Sequence, residues 1–446
     1  MNQLIKPEVK ELIAKRNWAA LRQITSRWPV AEVADLILDL PQAERVLLFR
    51  ALPRQLAAEV FAYFEPQDQD ALLSELTGEE TRHLMANLAP DDRTSLLEEL
   101  PAQVTQRLLT FLSPEDLKEA RQLLGYPEES VGRLMTPDYI TIRPEWNVAQ
   151  AIEHVRKSGR DRETVDILYV TDPSSKLIGV VSLRQLILGK PQEIVRGIMR
   201  SPAISVSAFE DREEASRIME RYDLSVLPVI DSEGLLVGIV TGDDVFEVLQ
   251  EEATEDFHKS AAVAPLGVGF LEARFGKLYK SRIGWLLGLV LVYLLSGTIM
   301  SRFEETISHV VALVFLLPLI IDCAGNAGSQ SATLMVRALA MGDVETSDWT
   351  KVLLREVGVA LALSVTMATA VWAIGTFQAG TGVAVVASVS LLIVVTVSCL
   401  LGAAIPFVLD RLGWDPAAAS SPLVTSLADI MGVLVYFSVA TRYLGI

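Results

Sequence analysis

The sequence predicts a multidomain membrane protein: an N-terminal α-solenoid, a repeated α+β region, a connecting helix and five membrane-spanning helices. Three observations carry this prediction. A 12-residue apolar repeat fills the first quarter of the chain, a strand pattern occurs twice between about 130 and 256, and long apolar stretches dominate after residue 282. At 446 residues the chain is too long for a single core. Its charge is uneven. Residues 1–256 hold 45 acidic and 28 basic side chains, whereas 257–446 hold 11 of each, so the first part carries the whole net charge of −17. Within it, 201–256 has 15 acids against 3 bases. Such a concentration attracts cations and repels nucleic acid, which is therefore not an expected partner.

The solenoid follows from the repeat. Trp28, Leu40, Leu52, Phe64, Leu76, Leu88, Leu100 and Leu112 stand 12 residues apart, and Pro29, Pro41, Pro53, Pro66, Pro90, Pro101 and Pro114 follow them by one or two. Apolar pairs recur eight and nine residues after each of the first seven anchors, from Leu36/Ile37 to Leu108/Leu109. Proline fits a first helical turn, where its missing N–H is not needed. Each unit is one short helix, too short to be stable alone, and stacking buries the apolar stripes. The expected domain is 1–128. The N-terminus lacks an apolar core of signal-peptide length, so the region before the spans is expected to stay in the cytosol.

From about residue 129 the period changes. Strands are expected at 139–142, 165–170 and 177–181, and the pattern then recurs. Met135-Thr-Pro137 matches Met199-Arg-Ser-Pro202, and Leu177-Ile-Gly-Val-Val-Ser182 matches Leu236-Val-Gly-Ile-Val-Thr241. Asp172-Pro173 and Asp231-Ser-Glu-Gly234 supply turns. This resembles a tandem pair of cystathionine-β-synthase (CBS) domains, at 129–195 and 196–250. The resemblance implies a small-ligand sensor, often for adenine nucleotides such as ATP. An acid after the last strand often holds the ribose in that family. The second repeat offers Thr241 and Asp244; the first has Ser182-Leu-Arg-Gln185 and lacks the acid. Asp244 equally suits a metal site among the neighbouring acids.

Spans are expected at 283–301, at 306–336 with His309 and Asp322 inside, at 357–409 as two helices broken near 375–382, and at 416–441. Eight basic residues flank one side and only Arg302 and Arg442 the other, which places the N-terminal region in the cytosol and the C-terminus outside. Residues 243–272 bridge the sensor to the membrane as a helix over 244–259, ending near the 265–269 break. Cys323 and Cys399 are too few for a disulfide framework and read as packing residues.

Asp429 is the only charged side chain between Asp415 and Arg442. A carboxylate at membrane depth costs at least about 2.5–3.5 kcal/mol on insertion scales, so it faces a water-filled path or a partner. Span five places Ser421, Pro422, Thr425 and Ser426 within two turns of it; span two carries Pro318, Gly325, Asn326, Gly328, Ser329, Gln330 and Thr333. Hydroxyls, carbonyls and one carboxylate make an all-oxygen, hard-cation environment. No His or Cys joins it, which argues against zinc or copper. Mg²⁺ dehydrates reluctantly, and a wide site with few direct ligands suits it.

The order of helical repeat, CBS pair, connecting helix and five spans, with these two motifs, resembles the MgtE family of magnesium channels and transporters along the whole chain. The resemblance implies a homodimer in the inner membrane, embedded in lipid, with Asp429 binding hydrated Mg²⁺ on the dimer axis and Asn326 in the pore lining. It also implies regulatory Mg²⁺ ligands: Asp211, Glu213 and Asp223 in the second CBS repeat, Asp244, Glu247, Glu252, Glu255 and Asp256 on the connecting helix, and Asp415 before span five. The solenoid acids Glu59, Asp91 and Asp92 are further candidates. The expected function is Mg²⁺ uptake, closed by cytosolic Mg²⁺. The alternatives are transport of another divalent cation, Mn²⁺ or Co²⁺, and a membrane-tethered signalling receptor. No His-Glu-x-x-His pair, Gly-x-Ser-x-Gly elbow or phosphate-binding loop suggests an enzyme.

Overall fold

The computed structural model describes residues 9–160, 162–266, 270 and 273–445. It divides into two compact units, one ending at Glu251 and the other beginning at Glu252.

The first unit opens with the expected short helices, among them Val30–Leu38, Gln42–Ala51, Arg54–Ala62, Pro66–Glu75, Gly78–Met85, Pro90–Glu99, Ala102–Leu109 and Pro114–Leu123. The 12-residue period has a local cause. Leu52 and Leu100 precede proline, which disfavours helical backbone, and both end their helices in an extended conformation. Pro66, Pro90 and Pro114 sit in the first turn as expected. Pro29, Pro41, Pro53 and Pro101 instead stand one residue earlier, as N-caps. Where the repeat lacks proline, a Thr77–Glu80 capping box starts the helix. Thirteen of the fourteen paired apolar residues are buried, and Leu109 packs against the same core partly exposed. Each buried side chain of this size contributes about 1.5–3 kcal/mol.

Two three-stranded sheets follow, ordered β1 (Thr141–Ile142), β2 (Ile167–Thr171), β3 (Leu177–Ser182) and β4 (Val206–Ser207), β5 (Val226–Ile230), β6 (Leu236–Thr241). In both, the first pair is parallel and the second antiparallel. The first strand is shorter than the expected 139–142, and β4, only two residues long, leaves no periodic signal. The repeated Met and Gly have a reciprocal role. A Cβ on Gly238 would meet Met135 Sδ at 2.6 Å, and one on Gly179 would meet Met199 Sδ at 3.1 Å. Each repeat's leading methionine therefore covers a bare strand position in the other repeat. Tyr169, Val226, Leu236 and Ile239 complete the shared core.

The connecting helix spans Gly242–Ser260. The break expected at 265–269 lies partly outside the described residues. Among the described residues, the second unit holds five helices long and apolar enough to cross a membrane: Phe275–Ser301, Ala312–Ala340, Trp349–Gln378, Thr381–Arg411 and Ser421–Leu444, here spans one to five. Several boundaries depart from expectation: the helices of spans one and three begin earlier, at Phe275 and Trp349. Span two starts at Ala312, because Glu304–His309 forms its own short helix and the chain turns at Val310. Span five starts at Ser421, because Pro416–Ala418 is a 3₁₀ turn capped by Asp415. Pro422 thus lies in the first turn of span five and frees no carbonyl within it; the helix Ala312–Ala340 runs continuously through Pro318. Gly380, at φ +86°, makes the tight turn between spans three and four.

Candidate functional site

Small residues decide how the membrane helices meet. A Cβ on Gly402 would lie 2.1 Å from the Gly328 carbonyl oxygen, and one on Gly328 would lie 2.9 Å from the Ser398 carbonyl oxygen. Spans two and four therefore touch backbone to backbone. Span five runs antiparallel to span two in a readable register. Gly432 faces Ile321, Gly325 faces Thr425, Ser329 Oγ donates to the Ser421 carbonyl at 3.2 Å, and Tyr436 Oη donates to the Leu313 carbonyl at 2.9 Å. This register puts Asp322 and Asp429 at the same depth.

Asp429 is 6% exposed, and its Oδ1 is buried without a hydrogen-bond partner. A buried carboxylate oxygen in that condition is costly unless a cation or ordered water meets it. On span two, Asp322, Asn326, Gln330 and Thr333 are all exposed. Their spacing of four, four and three residues places them on one helix face. Lipid does not tolerate such a stripe; water or another protein surface must cover it. A buried carboxylate beside this polar face suits a hydrated hard cation.

The regulatory candidates fall into separate places. Asp211 caps the helix Arg212–Tyr222, its side chain accepting from the Glu213 N–H at 2.9 Å, whereas Asp223 ends the same helix in a left-handed conformation. That helix is about 16 Å long at 1.5 Å per residue, so within one chain Asp223 shares no ion with Asp211 or Glu213. Glu59 is exposed on Arg54–Ala62 and joins neither group below.

One group gathers in the first unit. Asp91 from the solenoid lies in the field of Asp244, Asp92 and Glu163, and Asp92 in that of Asp244, Glu247, Glu163 and Asp243. Burial, then repulsion from Asp244 and Asp92, holds the Asp91 carboxyl well above the usual range. Burial followed by the charges of Asp244 and Glu247 pushes Asp92 up to about 7. Glu99, surface-exposed but partly desolvated and facing Glu251 and Glu65, also reaches about 7. Burial raises Asp244 to about 6, although Thr241 lowers it by donating Oγ1 to Asp244 Oδ2 at 2.6 Å. The charged groups acting on these four are all acids.

The other group lies in the second unit. Lys259 Nζ sits 2.6 Å from both Glu255 Oε1 and Asp415 Oδ2. Burial, then the Asp415 charge, raises the Asp256 carboxyl, and Glu252 contributes to the same field. Among the described residues no three His, Cys, Asp or Glu side chains stand close enough to hold one ion directly. Sequence reasoning missed Glu99, Glu163, Asp243 and Lys259. The first three are separated along the chain and meet only through the fold, whereas the Glu255–Lys259 spacing of four was readable.

Comparison with known proteins agrees with this architecture. Residues 28–129 match the MgtE intracellular N domain, 131–189 and 195–251 match CBS domains, and 317–439 match the MgtE divalent cation transporter family. The magnesium transporter MgtE of Thermus thermophilus is 37% identical over 443 residues, covering 99% of this chain and 98% of its own. The magnesium transporter MgtE of Bacillus subtilis is 34% identical over 333 residues, covering 73% of this chain and 72% of its own. Among solved structures, the cytosolic domain of the Mg²⁺ channel MgtE in complex with ATP superposes with a TM-score of 0.52 at 34% identity, covering 55% of this chain and 99% of that one. The soluble part of a magnesium transporter gives 0.54 at 26% identity, covering 57% and 100%. The chain belongs to the MgtE family of magnesium transporters.

Proposed function

We propose that the chain conducts Mg²⁺ across the cytoplasmic membrane, with Asp429 as the principal ion contact and its own acidic groups as Mg²⁺ sensors. The observation that carries this reading is the buried, unpartnered Asp429 oxygen beside the exposed polar face of span two. A water-clad divalent ion supplies both the charge and the hydrogen-bond donors that this oxygen lacks. Asn326 lines the path on the face that also carries Asp322. A second copy covering the polar stripe makes the chain a homodimer, with the pore where the two stripes meet. The N-terminal region lies in the cytosol and the C-terminus outside, following the distribution of basic residues.

In this reading the helical-repeat domain (1–128), the CBS domains (129–195 and 196–250) and the connecting segment (243–272) regulate the membrane domain (280–446). Asp91, Asp244 and Glu247 bind one set of ions, Glu252, Glu255, Asp256 and Asp415 another. Asp211, Glu213, Asp223 and Glu59 act across the subunit boundary. With little Mg²⁺ the acids repel one another; like charges about 4 Å apart cost roughly 4 kcal/mol at an effective dielectric near 20. Bound ions remove that repulsion and favour the closed arrangement through their greater affinity for it. ATP is a further ligand, at Thr241 and Asp244 of the second CBS repeat. The ATP-bound relative supports it, as does the position of Asp244 in the first helical turn after β6. Titrating the full chain with ATP by calorimetry, with Asp244→Ala as the control, tests that site.

The primary test is Mg²⁺ flux into proteoliposomes. Wild-type protein takes up Mg²⁺ and is inhibited by Mg²⁺ on the cytosolic face; Asp429→Ala takes up none. Uptake at the wild-type rate in that variant moves the pore contact elsewhere.

A further inference from the structure

The last turns of the connecting helix carry Glu252, Glu255 and Asp256, with a single lysine, Lys259, beside His258. Lys259 Nζ is 2.6 Å from Glu255 Oε1, one helical turn back, and 2.6 Å from Asp415 Oδ2, in the loop before span five. The remaining Asp415 oxygen is also engaged, because Oδ1 accepts the Ala417 N–H at 2.7 Å. Its carboxylate is therefore held by the turn it caps and aimed at the ammonium. The three side chains are 31%, 28% and 37% exposed. Burial draws the Lys259 amine down, but hydrogen bonds to Asp415 and Glu255 raise it further, well above the usual lysine range, so it stays charged.

We propose that Lys259 is the tethered counter-cation of the Glu255–Asp415 site and sets the Mg²⁺ concentration at which that site responds. This rests on the assignment of Glu255 and Asp415 as regulatory ligands. A lysine ammonium is a compact, strongly hydrated point charge, and it uses the same two oxygens that an incoming divalent ion needs. With no ion bound, the ammonium ties the end of the connecting helix to the loop before span five. An ion entering the site must displace that tie, so its net gain is the difference between its own contacts and those of the lysine. The remaining acids, Glu252 and Asp256, keep the surroundings attractive to cations after the exchange. A lysine that only braced the helix would strengthen ion binding by holding the ligands in place; a competitor weakens it. The two roles predict opposite shifts.

The test is hydrogen exchange of the full chain in nanodiscs, following the peptide over residues 250–260 through a Mg²⁺ titration. Lys259→Gln should exchange faster without Mg²⁺, because the tie is gone. Its protection midpoint should fall by about threefold to fivefold, the range of a partly exposed ion pair. Lys259→Arg keeps the charge and should stay within about twofold of wild type. A Lys259→Gln midpoint equal to or above that of wild type overturns the proposal while leaving the site intact. If wild-type protein gains no protection with Mg²⁺, the ligand assignment fails, and the lysine proposal with it.

Discussion

Two carboxylate environments in this chain differ in what surrounds them. Asp429 is buried and shares its depth with Asp322 of span two, and one of its oxygens has no partner among the described residues. Asp91, Asp92 and Asp244 are crowded by other acids, which with burial raise all three carboxyls, Asp92 to about 7 and Asp244 to about 6. In the proposed function the first environment is the contact for an ion in transit, since a buried carboxylate oxygen without a partner needs a cation or water. The second is proposed as the sensor, since its repulsion varies with the number of cations present. The proposal thus gives one ion the parts of substrate and signal through the same functional group in two settings.

The comparison is most easily broken at Asp429. Asp429→Ala should lower Mg²⁺ uptake by about a hundredfold or more, matching the loss of roughly 3 kcal/mol of ion contact at an effective dielectric near 20. Isotope flux under saturating Mg²⁺ measures it. At the crowded group, Asp91→Asn with Asp244→Asn should leave open-state flux unchanged. The Mg²⁺ concentration for half-closure should rise about tenfold, a coupling of order 1–2 kcal/mol. Flux against cytosolic-side Mg²⁺ reads that shift; an unchanged half-closing concentration removes the sensor role.

Acidity sharpens the same contrast. Asp92 and Glu99 have folded-state values near 7, above their unfolded ones, so the packed arrangement is favoured below the unfolded carboxylate range and loses stability as pH rises through about 7. Without divalent ions, hydrogen exchange over residues 90–99 should quicken between pH 6 and 8, and Mg²⁺ should reverse it at pH 8. A smaller, purely structural effect is expected in the solenoid. Phe61→Ala removes a fully buried ring and should lower the stability of the first unit by about 3–5 kcal/mol without changing open-state uptake. Thermal melting and flux measured together would show it.

Much of the molecule was legible before its structure. The 12-residue repeat located the solenoid helices because a proline or capping box opens each unit, and paired apolar residues fill each stripe. β6 coincides with the Leu236–Thr241 segment matched to the first repeat because most of its side chains are buried. The misses share a cause: they depend on contacts between distant segments or on breaks that hydropathy does not register. Two-residue β4 exists only through its pairing with β5. The start of span two at Ala312 reflects a backbone turn at Val310 within an apolar stretch. Gly402, the closest backbone contact between spans two and four, drew no notice because its partner, Gly328, is 74 residues away. Of the candidate site, Asp429 stood out by isolation alone, whereas the company of Asp91 and Asp244 required the fold.

The most direct test separates the two environments in one variant. Asp429→Asn should abolish Mg²⁺ flux while hydrogen exchange over residues 244–260 retains Mg²⁺-dependent protection, with a midpoint within about twofold of wild type. Persistent flux in that variant, or loss of the protection together with the flux, would contradict the proposed division between a conducting carboxylate at membrane depth and a crowded sensing group.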